Sequence, residues 1–347
     1  MKNKLLGVAL ATSAIVLLSG CGSQMAKAIQ PKIDLAQSSE VTANINKYTD
    51  GLDNLNEMLR LYDETQIKIA AMAIVDKTAE GTPLPGDITI MVNSALNEIG
   101  EQVEAYVQVD DLFKKGIVNS YIIQGAITEY DVLERSNRGA NVAVHGGKGK
   151  GEYDADAGST DDDSTAKLTI DFNIIDAQTG AFVSKVHTSN SIKIIKKSGS
   201  ADFGFSIMGS GFGLSASASK EQGKHAAIRL LVDLSIIELI GKLKKQPYWI
   251  CVPGAKKDRK LLRDIKRDFE RNSNEHEQRA LVDFYLPLLG VEATPQGIIA
   301  YKRRYGLLPA NSDVTPDLYM SLLVNAKTMH DQKTSTNKSK QTYKNLL

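Results

Sequence analysis

Cysteine is nearly missing from this 347-residue chain: Cys21 and Cys251 are the only two, so at most one internal disulfide is available. Histidine is as sparse. His145, His187, His225, His276 and His330 stand far apart, with no ligand-like spacing among them. No G-x-x-x-x-G-K loop is present to cradle a nucleotide phosphate, and no serine or cysteine sits in a nucleophile motif. These absences argue against an enzyme and against any metal or cofactor. A charge excess of either sign is also lacking, with 42 Lys and Arg against 41 Asp and Glu. A chain so balanced has no electrostatic footprint for nucleic acid. Beyond the N-terminal leader there is no apolar run long enough for a spanning helix, so any membrane crossing has to use strands.

The first residues fix the expected compartment. Met1-Lys2-Asn3-Lys4 is basic, Leu5 to Leu18 is apolar, and the run stops too early for a transmembrane helix, which is the build of a signal peptide over residues 1–20. It closes with Leu18-Ser19-Gly20-Cys21, which resembles a bacterial lipobox. That resemblance implies cleavage before Cys21 and acylation of its thiol, with each buried methylene contributing about 0.8 kcal/mol of anchoring. Gly22 stands where an inner-membrane retention signal would place an aspartate. The expected location is therefore the outer membrane, lipid-anchored, with the body in the periplasm. An acylated Cys21 leaves no disulfide partner for Cys251, which lies in the apolar stretch Tyr248–Val252 as a buried, inert thiol.

Residues 21–49 are polar and unpatterned, as suits a tether, and a short helix is expected near Leu52–Tyr62. Ile67–Val75 reads as a buried strand, followed by a loop through Thr82-Pro83-Leu84-Pro85-Gly86 and a helix from about Asp87 to Glu101. Strands at Ala105–Val109 and Tyr121–Tyr130 complete an α/β pattern. The acidic stretch Asp154–Ser164 lacks the order of ligands and glycine of a calcium loop and reads as a solvated loop. Leu168, Ile170, Phe172 and Ile174 alternate as a strand, Asp176–Gly180 turns, and Ala181–Ser189 returns. Gly223–Leu243 is expected as an amphipathic helix with Ile228, Leu231, Leu234, Ile237 and Leu239 on its apolar side.

Two glycine-rich segments fold on paper into hairpins. In Ala201–Lys220, a turn at Gly209-Ser210 pairs Ile207 with Phe212, Phe205 with Leu214 and Phe203 with Ala216 on one apolar face. Ser206, Ser215 and Ser217 fall on the other, small and polar. Each arm has about the 9–11 residues a tilted strand needs to cross a bilayer. A second hairpin, over about 136–157 with its turn at Gly146-Gly147, has a weaker apolar side and places Lys148 and Lys150 on its polar face. Half-buried hairpins of soluble sheets alternate in the same way, so both readings stand on pattern alone. Two hairpins give four strands per chain, whereas a closed transmembrane barrel needs about eight. Insertion therefore demands several copies, because open edges are not tolerated in lipid.

The lipobox, the strand and loop Ile69–Gly81, the segment Gln124–Tyr130 and the strand–turn–strand Ile170–Ser189 resemble, in that order, the CsgG-like family of curli-secretion lipoproteins and holdfast-attachment relatives. The resemblance covers about Cys21 to Leu243. It implies an α+β fold: an α/β periplasmic body over 50–245, with two β-hairpins contributing four strands to an oligomeric transmembrane barrel. It also implies a homo-oligomeric ring of about nine copies, an exported polypeptide passing without nucleotide hydrolysis, and an accessory periplasmic factor. Under it, Phe203, Phe205, Ile207, Phe212 and Leu214 face lipid, while Lys148, Lys150, Ser206, Ser215 and Ser217 line the lumen. The family's constriction loop is matched here by Thr82–Asp87, which is shorter and lacks its aromatic and asparagine, leaving Leu84 as the candidate ring residue.

From about Pro247 the pattern changes to helices. Lys256–Asn272 is a highly charged helix whose charges read as a solvated face. Asp283–Leu323 is similar to a small three-helix peptidoglycan-binding module, with Val314-Thr315-Pro316 as a well-capped helix start. A packing or oligomerisation role fits the same residues. The expected organisation is thus completed by a helical C-terminal domain over 246–330 and a polar tail over 331–347. The function expected is a passive secretion channel for polypeptide subunits. The alternative is a non-conducting lipoprotein ring that braces an envelope machine and grips peptidoglycan.

Overall fold

The computed structural model describes residues 41–62, 65–78, 84–114, 117–139, 142–143, 156–157, 160–196, 203–209, 217–218, 223–272 and 274–327. Cys21, the leader, residues 22–40 and the tail 331–347 lie outside them. In chain order the elements are α1 (Val41–Tyr62), β1 (Ile67–Ala71), β2 (Val75–Asp76), α2 (Thr89–Ile99), β3 (Val103–Tyr106) and α3 (Val109–Lys114). Then come β4 (Ser120–Gly139), β5 (Val142–Ala143), β6 (Asp156–Ala157), β7 (Thr160–Asp176), β8 (Phe182–Lys196), β9 (Phe203–Gly209) and β10 (Ser217–Ala218). The chain continues through α4 (Gly223–Leu243), a 3-10 turn at Tyr248–Cys251, α5 (Arg259–Arg271), α6 (Glu275–Leu288), α7 (Pro295–Tyr305) and a helix, α8, over 316–327.

One mixed sheet organises the α+β fold, in the order β10-β9-β8-β7-β4-β1-β3, with β2 beside β4. β1 runs parallel to β3 and β4, and from β4 onward the strands form an antiparallel meander. Side-chain alternation sends Ala166, Leu168, Ile170, Phe172 and Ile174 of β7 to one face, where all are buried and α4 packs. Ile123 and Ile127 of β4, Ile69 of β1 and Ile192 of β8 join them in one core. On the opposite face a smaller cluster of Ala70, Leu112, Ile122 and Ala177 lies where α3 covers the sheet.

Several expectations need correcting. α1 begins at Val41, inside the expected tether, because its face of Leu52, Leu55, Leu59 and Tyr62 packs on the core and carries the helix with it. The strand after Ile67 stops at Ala71 and resumes only as the two-residue β2. The strand expected over Ala105–Val109 is β3, shifted toward the N-terminus, and α3 follows it. α4 has the expected bounds but is not amphipathic. From Ala227 to Gly241, Arg229 is exposed and Asp233 half-buried, and every other residue is buried. The cause is tertiary: β8, α1, α2 and the 3-10 turn pack around it. Tyr248 sits so close to Gly241 that a Cβ there would lie 2.2 Å from the tyrosine Cβ.

The helices after Pro247 complete the same core. Tyr285, Leu286, Ile298, Tyr301, Leu318 and Leu322 are buried in one cluster with Leu55 and Ile237. Tyr62 in α1 donates its hydroxyl hydrogen to the Leu323 carbonyl at 3.2 Å and accepts from the Lys327 amide at 2.6 Å, fixing α8 to the body. Thr294 and Thr315 cap α7 and α8, accepting from the amides of Gly297 and Leu318 at 3.1 and 3.2 Å, each with proline at the next position. Cys251 is buried as expected, its Sγ 3.9 Å from Met58 Sδ.

Candidate functional site

The residues with functional promise lie where the meander leaves the helix-covered core. β4 and β7 pair continuously from Tyr121↔Asp176 to Gly139↔Thr160, and Val142↔Ala157 continues the same register. The β4–β7 ladder thus runs on from the buried Ala166 to Thr160, and the separate β5–β6 pair falls in line with it, so the described pairings reach Asp156, ten positions before Ala166 and about the length a tilted strand needs to span a bilayer. This register is displaced by six residues from the one expected around Gly146-Gly147. An even displacement leaves the same residues sharing a face. Part of the stretch expected as an acidic loop, residues 160–164, is strand, because it extends β7 opposite β4. Lys148 and Lys150 lie outside the described residues.

The second hairpin is set differently from the expectation. β9 makes its long ladder with β8, from Asn190↔Gly209 to Lys196↔Phe203, and residues 197–202 between them lie outside the described residues. Between β9 and β10 the register is Ser206↔Ser217 and Phe205↔Ala218, four residues from the expected one. The physical reason is in the partners. β8 offers Ile192 opposite Ile207 and Ile194 opposite Phe205, whereas the glycine, serine and alanine after Gly209 specify register weakly. Phe203, Phe205, Ile207, Ser206 and Ser217 thus have strand backbone, while Phe212, Leu214 and Ser215 lie outside the described residues.

The root of the first hairpin is bent and polar. Register breaks in β4 between Ile127 and Glu129 and between Val132 and Glu134 mark β-bulges, which bend a strand and increase its twist. Between them Glu129 accepts from Lys167 Nζ at 2.8 Å and from Thr169 Oγ1 at 2.5 Å, and Thr169 shares a hydrogen with Ser191 at 2.8 Å. Thr128 bonds Asp171 beside them. Just inside the root, Gly125 is required by close approach: a Cβ there would lie 2.4 Å from both the Asp171 carbonyl oxygen and Phe172 Cδ1.

The root of the second hairpin is pinned from the helix side. Asn190 donates to Ser235 Oγ at 3.1 Å and to Glu238 Oε2 at 2.8 Å, and Ser235 donates to the Leu231 carbonyl. Lys242 Nζ reaches Glu238 Oε1 at 2.6 Å and the His187 carbonyl at 2.9 Å. Asn190 and Glu238 are each 1% exposed, so this network ties β8 to α4 where β8 begins to pair with β9. Sequence reasoning missed it. The signal present was Ser, Glu and Lys at four- and three-residue spacings within an otherwise apolar helix.

A cleft of about 270 Å³ opens between β8 and α5, lined by Val183, Lys185, His187, Lys242, Asp264 and Asp268 among others. Its carboxylates are occupied. Lys185 bonds Asp264 at 3.0 Å, Lys245 bonds Asp268 at 2.5 Å, and Arg267 also bonds Asp264. Burial pushes Asp264 up, but Lys185 and Arg267 outweigh it and hold the carboxyl below its ordinary value. Lys185 adopts φ 66°, a left-handed conformation unusual for a side-chain-bearing residue, near the register break between β7 and β8. Asp258, the third acid lining the cleft, caps α5 and accepts from the Tyr248 hydroxyl at 2.9 Å. Among the described residues, no group of three His, Cys, Asp or Glu is placed to hold a metal, and no helix is long and apolar enough to cross a membrane. Leu84 is half-buried against the main core, with Met72 and Ile90 exposed in the segments on either side.

A mixed α+β body from which a long antiparallel meander extends is the class the fold defines. Residues 117–268, from the meander into α5, match the family model described as the curli production assembly/transport component CsgG, and this segment is similar to that family. Among solved structures, a dodecamer of a PelC single-residue variant from Paraburkholderia phytofirmans is 15% identical, with 50% of this chain and 89% of that chain covered at a TM-score of 0.22. A putative neuraminyllactose-binding hemagglutinin homolog from Helicobacter pylori is 12% identical, with 52% and 84% covered at a TM-score of 0.21. Comparison with curated proteins found no match.

Proposed function

We propose that this chain is a subunit of a lipid-anchored, homo-oligomeric ring in the outer membrane that passes polypeptides through a shared β-barrel, without catalysing a reaction. The observation that carries the proposal is the β4–β7 ladder. It runs past Ala166 to Gly139↔Thr160, with the separate β5–β6 pair in line with it, from a doubly bulged root that re-aims it. The match of residues 117–268 to a secretion and transport component supports the same function. In this proposal the first hairpin and the β8–β9 pair each give two strands. Acylated Cys21 holds the protein at the membrane, and Leu84, with Met72 and Ile90, lies toward the narrowing of the periplasmic passage. Copy number follows from closing the barrel, since four strands cannot close alone.

Phe205, opposite Ile194 in the β8–β9 ladder, is the residue to test. Phe205→Asp places a charge where the barrel meets lipid and is expected to abolish heat-resistant oligomers in membranes while leaving lipidation intact. Membrane oligomers as abundant as in the unmodified protein would count against insertion through β9.

A further inference from the structure

At the level of the body two strands of the sheet lack a strand partner on one side among the described residues, and these two edges carry opposite charge. One is β3, the last strand of the order. The other is the first half of β8, since pairing with β9 begins only at Asn190. Four ladder spacings separate the two edges, about 19 Å at roughly 4.8 Å each.

The β3 edge is acidic. From Glu98 to Asp111 the chain has five acids and no lysine or arginine, before it turns basic at Lys114. Glu98, Glu101, Glu104 and Asp110 are exposed, and Glu98, Glu101 and Asp110 have no ion-pair partner among the described residues. Two large apolar side chains stand out among them, Val107 at 82% and Phe113 at 56% exposure.

The β8 edge is basic. α5 is fastened to it through Lys185 and Asp264, and residues 256–271 carry eight Lys and Arg against four acids. Three of those acids are engaged: Asp258 caps α5 and accepts from Tyr248, Asp264 holds Lys185 and Arg267, and Asp268 holds Lys245. Lys256, Lys257, Arg259, Lys260 and Arg263 are exposed and without an ion pair among the described residues. Phe182 is 61% exposed on the same edge.

We propose that these edges are the two halves of a head-to-tail contact between copies of this chain: the acidic β3 edge of one copy docks on the basic α5 surface of the next. Different patches on opposite flanks make a heterologous interface, which repeats around a ring. Exposed apolar side chains among charges match the build of interfaces, an apolar centre with a polar rim. Charge complementarity sets the register and speeds encounter. The proposal rests on the ring of the preceding section and names the surfaces that close its periplasmic part.

The test uses the full, lipidated protein in detergent, with oligomeric state measured by native mass spectrometry. Arg259→Glu with Arg263→Glu reverses one surface, and Glu101→Arg with Glu104→Arg reverses the other. Each pair is expected to lower the ring population more than tenfold at equal concentration, and the four substitutions together are expected to restore it. Raising salt from about 0.1 to 0.5 M should weaken the unmodified ring, since the Debye length falls well below 10 Å. Rings that persist in either double variant overturn the contact while leaving the ring intact. A fourfold variant that is folded by circular dichroism yet dispersed overturns it too. Retained rings with loss of binding to anionic phospholipid vesicles would assign α5 to a membrane surface instead. An unmodified protein that is monomeric at every concentration would remove the ring and this contact together.

Discussion

Asp233 makes the body's stability depend on pH, and Asp233→Asn should remove that dependence. The residue is half-buried on α4, a helix buried over most of its length by the sheet, α1, α2 and the 3-10 turn. Burial raises its carboxyl from 3.8 to about 7, Arg229 one turn earlier opposes the rise, and Glu98 on α2 reinforces it. A carboxyl whose folded pKa exceeds its unfolded one binds its proton more tightly when folded, so it favours folding at low pH. That contribution is complete below about pH 4, declines as pH rises and is gone above about pH 7. A gap of about 3 pH units at 1.36 kcal/mol per unit gives a loss of up to about 4 kcal/mol. The asparagine variant cannot ionise. Urea unfolding at about pH 4.5, 6 and 8 should show it nearly equal to the unmodified protein at the lowest pH and more stable by a few kcal/mol at the highest. A stability difference that stays constant across those pH values would refute the reasoning.

Gly125→Ala drives a Cβ into the Asp171 carbonyl and the Phe172 ring, and should cost about 1–3 kcal/mol in denaturant unfolding, the range for overpacking a core. Lys242→Met leaves the buried Glu238 carboxylate without its cation and should cost about 3 kcal/mol or more; adding Glu238→Gln should recover most of it, and a double-mutant cycle measures the coupling. Thr294→Ala removes the cap of α7 and should lower stability by about 1 kcal/mol in the same assay.

Local signals were readable where local chemistry decides. The turn after β7 was legible because Asp176 Oδ1 accepts from the amides of Gln178 and Thr179 and Gly180 takes φ 68°. The cap at Thr315 and the alternation of β7 were equally plain in sequence. What the sequence could not convey was which strand pairs with which. The best-looking hairpin on paper, within Ala201–Lys220, competes with a partner outside it. Ile192 and Ile194 of β8 take the positions opposite Ile207 and Phe205. The shared face of Phe203, Phe205 and Ile207 depends only on period two, so it was readable when the register was not.

Enclosure was hidden for the same reason. α4 carries Ser235, Glu238 and Lys242 on what a helical wheel treats as a polar side, yet Asn190 from β8 meets them there, and Tyr248 fills the space over Gly241. The helices after Pro247 resembled a separate module because their caps and aromatics are locally complete. Tyr62, some 260 residues earlier, receives and gives the hydrogen bonds that hold α8. Lys185, left-handed and bonded to Asp264, had no sequence signal at all, since neither glycine nor asparagine stands there.

Single-channel recording in a planar bilayer, with the lipidated protein purified in detergent, tests the central claim most directly. Large, stable, ohmic current steps are predicted for the unmodified protein, and they should vanish in Phe205→Asp. Silence from preparations that contain intact rings would contradict a conducting pore.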